Sequence, residues 1–527
     1  MATEPVDLDI AVVGGGISGV YTAWRLSSCP NPPTVALFES SQRLGGRIDT
    51  VPLPVSEPGS HAEFGAMRFM PFMAVVKSLL SYLGIQTEVF PCNDLRQMFI
   101  RGVQIALDSK GFATNSHYRL APGEPQNVFS LAMNVLDGAV PNAQSLTPQQ
   151  WRDVTKNGAF KGRELWRWGM RNVAEELISN EAFDFVYDGL GLDSVLLGTN
   201  AAMGTRALAA PLPDYLAGRV YRPVNGFSSL VAELENRLQS FPSCNVWKQH
   251  RLISAVRAGN GIKLTFDAPA GPIEVTARKV ALAMPRRAIE LIDLDGLFPA
   301  DQRDAERRKL RTKLRAVRGV PGFKLCLVYD KPWWQNFTNV SGATQGWKNG
   351  YLVTDLPLRQ IFFGIGNGPD SAGNERVLMA SYSDGAAARY WEGLTQVSDK
   401  RLHMGAASQF VQAESGNLLT AIERQLCSVM QIKGPVPPPL CAGYVDWEVD
   451  PFGGAWHEWK VGIDVSAAIP DMRRPAPELP LYVCGEAYSW FQAWIEGALM
   501  SAERMLQDHF QLPWPSDWLQ EGYDLGP

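Results

Sequence analysis

The sequence contains few metal-binding and disulfide-forming residues, with seven cysteines and six histidines among 527 residues. No two cysteines form a Cys-x-x-Cys pair, and the histidines lack metal-ligand spacing, so we predict reduced thiols and no metal site. The chain also has no excess of positive charge, because 49 Lys and Arg residues stand against 54 Asp and Glu residues. This balance argues against a nucleic-acid partner.

No apolar run in the sequence is long enough to span a bilayer. Residues 1–9 contain acids but no lysine or arginine, whereas a secretory leader has a basic start and a longer apolar segment. We therefore expect a cytoplasmic protein without a membrane partner. Hydrophobic residues make up 46% and charged residues 20%, as in soluble globular proteins, and the length predicts two or three domains.

A glycine-rich turn near the N-terminus predicts a nucleotide site. It follows a predicted strand at residues 8–13 and opens a predicted helix at residues 17–27. The segment from Gly14 through Gly16 and Ser18 to Gly19 fits G-x-G-x-x-G, in which the glycines permit a tight turn, close approach of a pyrophosphate and close helix packing. Glu39 ends the next strand, where an acid can bind ribose hydroxyls. The alternative is a glycine turn in an unrelated α/β fold.

Further motifs resemble the flavin-containing amine oxidase family and extend over nearly the whole chain, from residue 8 to about 505. They are Gly45-Gly46-Arg47, Glu63-Phe64-Gly65-Ala66-Met67-Arg68-Phe69, Lys324, Trp447 with Asp450-Pro451-Phe452-Gly453-Gly454, Gly485-Glu486-Ala487 and Trp494-Ile495-Glu496-Gly497-Ala498.

The resemblance implies an α/β fold with a Rossmann-like, glutathione-reductase-like FAD-binding domain, an interleaved α+β substrate domain and a helical insertion. We assign residues 1–70, 225–318 and 442–515 to the FAD-binding domain, residues 71–115 and 319–441 to the substrate domain, and residues 116–224 to the helical domain. If the first and last strand units bind one cofactor, they must be neighbours, and the middle of the chain is then inserted between them.

The resemblance implies FAD as the cofactor. It is expected to be non-covalent, because Ala487-Tyr488-Ser489 lacks the cysteine that attaches FAD in some amine oxidases. The expected cofactor-binding residues are Gly14, Gly16, Ser18, Gly19, Glu39, Gly46, Arg47, Gly65, Ala66, Met67, Arg68, Leu252, Trp447, Gly485, Glu486, Trp494 and Ile495.

Arg68 is the most discriminating candidate for substrate binding. Its planar guanidinium can hold a carboxylate through two charge-assisted bonds. Gly65-Ala66-Met67-Arg68 resembles the L-amino acid oxidases and the amino acid 2-monooxygenases, in which this arginine binds the substrate carboxylate. The resemblance adds Tyr382 as a second carboxylate contact and the backbone of Ala493 and Trp494 as contacts of the amino group. The alternatives are a surface or structural salt bridge for Arg68 and a core position for Tyr382.

Lys324 lies in the apolar segment 322–328, where a buried ammonium needs partners or a lowered pKa. In the resembling family, the matching lysine holds a water near the flavin N5, so we expect a catalytic role. The alternative is a lysine that reaches solvent from an edge strand.

The expected activity is that of an FAD-dependent L-amino acid oxidase, which converts an L-amino acid and oxygen to a 2-oxo acid, ammonia and hydrogen peroxide. The alternatives are a decarboxylating L-amino acid 2-monooxygenase, a monoamine or polyamine oxidase, and a flavoprotein-like binding partner without turnover. Three acids, Asp446, Glu448 and Asp450, have two interpretations. They bind the side chain of a basic substrate, or they belong to a solvated loop. We expect a homodimer or higher homo-oligomer.

Overall fold

The computed structural model describes residues 6–54, 60–115, 117–368, 371–395, 410–412 and 416–527. Residues 1–5, part of the acidic start on which the expected location rests, lie outside these ranges. Within them, no helix has both the length and the apolar character needed to cross a membrane.

The helices lie mainly in the N-terminal half of the chain and at its C-terminus. They are α1 Ile17–Ser27, α2 Ala74–Tyr82, α3 Val128–Ala139, α4 Pro148–Asn157, α5 Met170–Leu177, α6 Asn180–Leu190, α7 Ser194–Leu197, α8 Ala201–Ala209, α9 Leu212–Leu216, α10 Ser228–Gln239, α11 Arg286–Glu290, α12 Arg303–Leu314, α13 Ser371–Glu375, α14 Gly385–Glu392, α15 Asn417–Met430, α16 Val465–Arg473 and α17 Ile495–Phe510.

The strands form two large sheets and several short pairs. They are β1 Val6–Val13, β2 Val35–Phe38, β3 Thr50–Pro52, β4 His61–Glu63, β5 Thr87–Val89, β6 Leu95–Ile100, β7 Val103–Ile105, β8 Ala159–Phe160, β9 Arg163–Glu164, β10 Tyr221–Pro223, β11 Cys244–Trp247, β12 Arg251–Ala258, β13 Gly261–Asp267, β14 Ile273–Leu282, β15 Val317–Val320, β16 Gly322–Val328, β17 Phe337–Thr338, β18 Thr344–Gln345, β19 Gly350–Thr354, β20 Gln360–Phe363, β21 Val377–Asp384, β22 Val411–Gln412, β23 Cys441–Asp446, β24 Trp456–Trp459 and β25 Leu481–Val483.

The first large sheet has the order β11-β2-β1-β14-β13-β12, and β25 also pairs with β14. The pairs β11–β2, β2–β1, β1–β14 and β14–β25 are parallel. All four residues of β2 are buried, as expected for a parallel strand covered on both faces. Because β1 and β2 are parallel, the residues that follow their carboxyl ends meet at one edge of the sheet, where α1 also begins.

The second large sheet has the order β22-β23-β16-β21-β20-β19-β6-β7. Strand β16 lies between β21 and β23, and all seven of its residues are buried. Lys324, in this strand, therefore does not reach solvent from a sheet edge, and that alternative is wrong.

Helices α3 to α9 form a layer beside the second sheet, interrupted by the short strands β8 and β9. Helix α3 packs on α5, α6 and α8, and α6 packs on β6 and β19 of the second sheet. The strands of the first sheet come from residues 6–13, 35–38, 244–282 and 481–483, and those of the second from residues 95–105, 322–384 and 411–446. The domain division proposed from the sequence stays a prediction.

Gly19 sets how closely α1 approaches the first sheet. A Cβ atom at this position would overlap the carbonyl oxygen of Gly14 and lie 3.1 Å from the Cβ of Ala283. We expect Gly19→Ala to lower the free energy of unfolding by roughly 1–3 kcal/mol, because backbone must move to admit the methyl group. Chemical denaturation measures the change.

The matched control is Gly393→Ala, because a Cβ atom there meets no heavy atom within 4 Å. The control should unfold within about 0.5 kcal/mol of the unmodified protein. Equal stability of Gly19→Ala and the unmodified protein would contradict the close packing.

Candidate active site

A cavity of about 1660 Å³ extends between the two large sheets and the helical layer. Among the candidate residues named from the sequence, Gly19 does not line it, because this residue packs beneath the turn. The structure brings the other candidates together along one continuous wall. They are Gly14, Gly16, Ser18, Glu39, Gly46, Arg47, Gly65, Ala66, Met67, Arg68, Leu252, Lys324, Tyr382, Trp447, Gly485, Glu486, Ala493, Trp494 and Ile495.

One end of the cavity is formed by the glycine turn and the end of β2. The Oε2 atom of Glu39 accepts a hydrogen bond from Gly15 N at 2.7 Å, and its Oε1 atom accepts one from Ser41 N at 2.8 Å. A Cβ atom added to Gly16 would meet nothing within 4 Å, so its backbone borders open cavity. An exposed turn at a helix N-terminus, beside an acid, fits a phosphate and a ribose.

Arg47 and Glu486 form a buried ion pair beside the turn. Arg47 Nη2 lies 2.9 Å from Glu486 Oε2, and Arg47 Nη1 donates to the carbonyl of Ala455 at 2.8 Å. Glu486 also accepts from the backbone of His457 at 2.8 Å and from that of Ala493 at 2.9 Å, and His457 Nδ1 lies 2.9 Å away. Both residues line the cavity, and the charge of each is already balanced by the other.

Burial alone would raise the pKa of Glu486, but the charge of Arg47, the bond with His457 and the amide of Ala493 lower it to about 2. Burial lowers the pKa of His457 in spite of its carboxylate partner. The carboxylate is therefore ionised at neutral pH. The sequence offered no motif for His457.

Arg68 lies in the middle of the cavity among aromatic rings. Its guanidinium carbon is 5.5 Å from the ring centroid of Phe90, 5.4 Å from that of Tyr215 and 5.9 Å from that of Phe362. Across the residue ranges described above, no carboxylate forms an ion pair with Arg68. The surface salt bridge that the sequence left open is therefore not its role, and the cavity contains a cation without a carboxylate partner among the described residues.

Lys324 lies on β16, opposite Tyr382 on β21. Its Nζ atom donates to the carbonyl of Gly65 at 2.5 Å and lies 4.9 Å from the ring centroid of Tyr382. Burial lowers the pKa of Lys324 to about 8, and burial raises the pKa of nearby Glu63 to about 7. Burial thus favours the neutral form of both groups.

Tyr382 faces the cavity and is only partly buried in the core. Its ring lies 6.4 Å from that of Phe362, one of the rings around Arg68, and burial raises the pKa of its hydroxyl to about 12. The hydroxyl therefore stays protonated at neutral pH and can donate a hydrogen bond to an anion.

The C-terminal segment supplies a wall of the cavity. Ala493 adopts the left-handed conformation at φ 71°, and its amide is committed to Glu486. An ammonium group donates hydrogen bonds, so the backbone carbonyl oxygens of Ala493 and Trp494 are the groups of this segment that suit it. Trp494 caps α17, which begins at Ile495, whereas the indole of Trp447 donates to the carbonyl of Phe64 at 3.0 Å.

The acidic residues considered for a basic substrate are largely neutralised. Glu448 forms an ion pair with Arg389 at 2.5 Å, and Asp450 forms one with Arg287 at 2.6 Å. Asp446 accepts from the backbone of Glu448 at 2.8 Å. A solvated loop describes these residues better than a binding site for a cationic side chain.

Comparison with known proteins gives consistent results. The family model for flavin containing amine oxidoreductase matches residues 17–505. Aplysianin-A of Aplysia kurodai is 25% identical over 96% of this chain and 90% of its own, and L-amino-acid oxidase 4 of Hebeloma cylindrosporum is 22% identical over 96% and 82%.

A solved structure of putrescine oxidase bound to putrescine superposes with a TM-score of 0.64 at 17% identity and covers 96% of this chain and 100% of the other. This similarity confirms the mixed α/β fold predicted from the sequence.

The Glu486 network yields a stability prediction. At neutral pH, Glu486→Gln should lower the free energy of unfolding by about 3 kcal/mol, because a carboxylate with a pKa near 2 stabilises the folded state relative to an unfolded pKa near 4.3. This stabilisation is present above about pH 5 and is lost as the pH falls toward 2. The two proteins should therefore converge in acid, as chemical denaturation at several pH values measures.

Glu458→Gln is the control, since this buried glutamate has a pKa raised to about 7 by burial and is partly neutral already. At pH 7, Glu458→Gln should lower the free energy of unfolding by less than Glu486→Gln does. An equal loss in the two variants would contradict the account of Glu486.

Proposed function

The chain belongs to the flavin-containing amine oxidoreductase family, as its sequence predicted, and from this membership we propose that it is an FAD-dependent L-amino acid oxidase. The observation that carries the proposal is Arg68, a guanidinium that lines the cavity among three aromatic rings without a carboxylate partner in the described ranges. A substrate that is only an amine has no group for this cation, whereas an amino acid brings the carboxylate that it lacks.

The residues of the cavity fit FAD at its glycine-lined end. The backbone at Gly14 and Gly16 would hold the pyrophosphate, Glu39 a ribose, and Leu252 the adenine region. We propose non-covalent binding, because the cysteine adjacent to the C-terminal motif, Cys484, is buried outside the cavity lining with its sulfur 3.9 Å from Thr22 Oγ1. FAD bound here would take two electrons from the substrate and pass them to oxygen, which yields hydrogen peroxide.

The protein's own contribution is to position the substrate. Arg68 holds the carboxylate through two charge-assisted bonds, and its aromatic neighbours restrict how the guanidinium can turn. The Tyr382 hydroxyl, which is protonated at neutral pH, donates a further hydrogen bond. The amino group would lie at the carbonyls of the Ala493–Trp494 segment. Together with Arg68 and Tyr382, this makes three contacts, which fix the face of the α-carbon that is presented to the flavin. Such orientation supplies much of the catalysis.

The role proposed for Lys324 is to accept or donate a proton at the substrate site. Because burial lowers the pKa of Lys324 and the carbonyl of Gly65 holds its Nζ atom, the amine can gain or release a proton at a fixed position. An imino acid formed at the site hydrolyses to the 2-oxo acid and ammonia.

The decisive experiment measures peroxide release with the twenty L-amino acids, their D-enantiomers and the corresponding decarboxylated amines. The proposal requires that at least one L-amino acid is turned over and that neither its D-enantiomer nor the corresponding decarboxylated amine is. Product analysis then separates the two carboxylate-binding activities: 2-oxo acid and peroxide identify the oxidase, whereas carbon dioxide and an amide identify an L-amino acid 2-monooxygenase. Comparable turnover of an amine would instead identify an amine oxidase.

We predict that Arg68→Lys lowers kcat/KM on the order of ten- to a hundredfold, because lysine keeps the charge but loses the planar pair of donors. Arg68→Ala should be worse, since the substrate carboxylate then has no countercharge. Both variants should keep their flavin. Steady-state kinetics normalised to bound flavin measure these effects.

The control is Arg101→Lys. Arg101 lies 4.0 Å from the ring centroid of Tyr118 and pairs with Glu181, outside the cavity lining. This variant should retain kcat/KM near that of the unmodified enzyme. Normal kinetics in Arg68→Ala would remove the main argument for an amino acid substrate.

A further inference from the structure

A second arginine, Arg206 on α8, also lines the cavity. Its Nη1 atom donates to the carbonyl of Trp490 at 2.7 Å, and its guanidinium carbon lies 4.6 Å from the Trp490 ring and 4.8 Å from the Phe491 ring. Its Nε atom is buried and has no hydrogen-bond partner. Arg206 thus resembles Arg68 in its surroundings, since both guanidiniums rest on aromatic rings.

Arg206 has no counterion within the ranges that the structure describes. The nearby acid Asp524 is bound to Arg152 through both of its oxygens, and the hydroxyl of Tyr523 donates to Glu496 at 2.7 Å. Burial lowers the pKa of Arg206 to about 10, so that it remains charged at neutral pH. A charge removed from water without a partner is costly, and an anion in the cavity would relieve that cost.

We propose that Arg206 binds a second carboxylate and that the preferred substrate is an L-amino acid with an acidic side chain. This inference rests on the proposed function, because Arg68 must hold the α-carboxylate. Arg206 on α8 and Tyr215 on α9, which lies against Arg68, belong to consecutive helices of the same layer. Both guanidinium groups line the same cavity, so a dicarboxylate that reached both would neutralise them.

Two other interpretations give different results. A basic side chain would meet the positive charges of Arg206 and Arg68, while Glu448 and Asp450 are already paired with Arg389 and Arg287. If Arg206 instead only fixes the Trp490 backbone, its loss should affect all substrates equally.

The kinetic test compares L-glutamate with L-glutamine, which match in size and differ in charge. The unmodified enzyme should prefer glutamate. In Arg206→Met the ratio of kcat/KM for glutamate to that for glutamine should fall on the order of ten- to a hundredfold, the effect of one charged hydrogen-bonded pair. Arg206→Lys keeps the charge and should reduce the ratio less.

The control is Arg167→Met in the same helical region. Arg167 lies 4.3 Å from the ring centroid of Trp166 and pairs with Glu164, outside the cavity lining. This variant also removes a guanidinium from an aromatic ring, and it should leave the glutamate-to-glutamine ratio unchanged.

A binding test needs no turnover. Glutarate and butyrate, with two and one carboxylates, are titrated against the absorbance of the oxidised flavin. Arg206→Met should weaken the binding of glutarate relative to butyrate, whereas Arg68→Ala should weaken that of both.

The outcomes separate the inference from the function on which it rests. If no amino acid is oxidised, the proposed function fails, and the glutarate titration alone decides whether Arg206 is an anion site. If neutral or basic amino acids are oxidised and the glutamate-to-glutamine ratio is one or less in the unmodified enzyme, the inference is overturned and the proposed function stands. An unchanged ratio in Arg206→Met, with or without loss of flavin, also overturns it.

Discussion

The ion pair between Arg47 and Glu486 joins segments of the chain that are far apart in sequence. Arg47 follows the glycine turn, His457 belongs to β24, and Ala493 precedes the last long helix, yet all three bind one buried carboxylate. Each partner satisfies a charge or a lone pair that would otherwise be buried without compensation. The same contacts bring the segment after the glycine turn, strand β24 and the C-terminal segment together around one cavity.

The two sheets divide the chemistry between them. The parallel sheet presents backbone at the ends of its strands, which suits a large ligand recognised through phosphate and ribose. The other sheet presents side chains from the middle of its buried strands, where Lys324 and Tyr382 are held in register on adjacent strands. The first sheet therefore contributes main-chain groups to the cavity, and the second contributes side chains whose pKa values are shifted by burial.

Local sequence predicted the features that depend on a few consecutive residues. The glycine turn, the acid at the end of β2 and the apolar strand around Lys324 were of this kind, and the structure places them in one cavity. The partners of two buried charged residues were not predictable, because they lie hundreds of positions away: the Nζ atom of Lys324 contacts the backbone of Gly65, and Glu486 binds Arg47. Nothing in residues 116–224 resembled a motif, so Arg206 and Tyr215 emerged only when packing brought α8 and α9 to the cavity.

The helical layer has a consequence for how this protein can change during evolution. Helices α8 and α9 line the cavity and α8 packs on other helices, whereas Lys324 and Glu486 are buried at the sheets. Substitutions on these two helices can alter the shape of the cavity while the two large sheets stay unchanged. The lining of the cavity can therefore diverge in the helical layer without a loss of the fold.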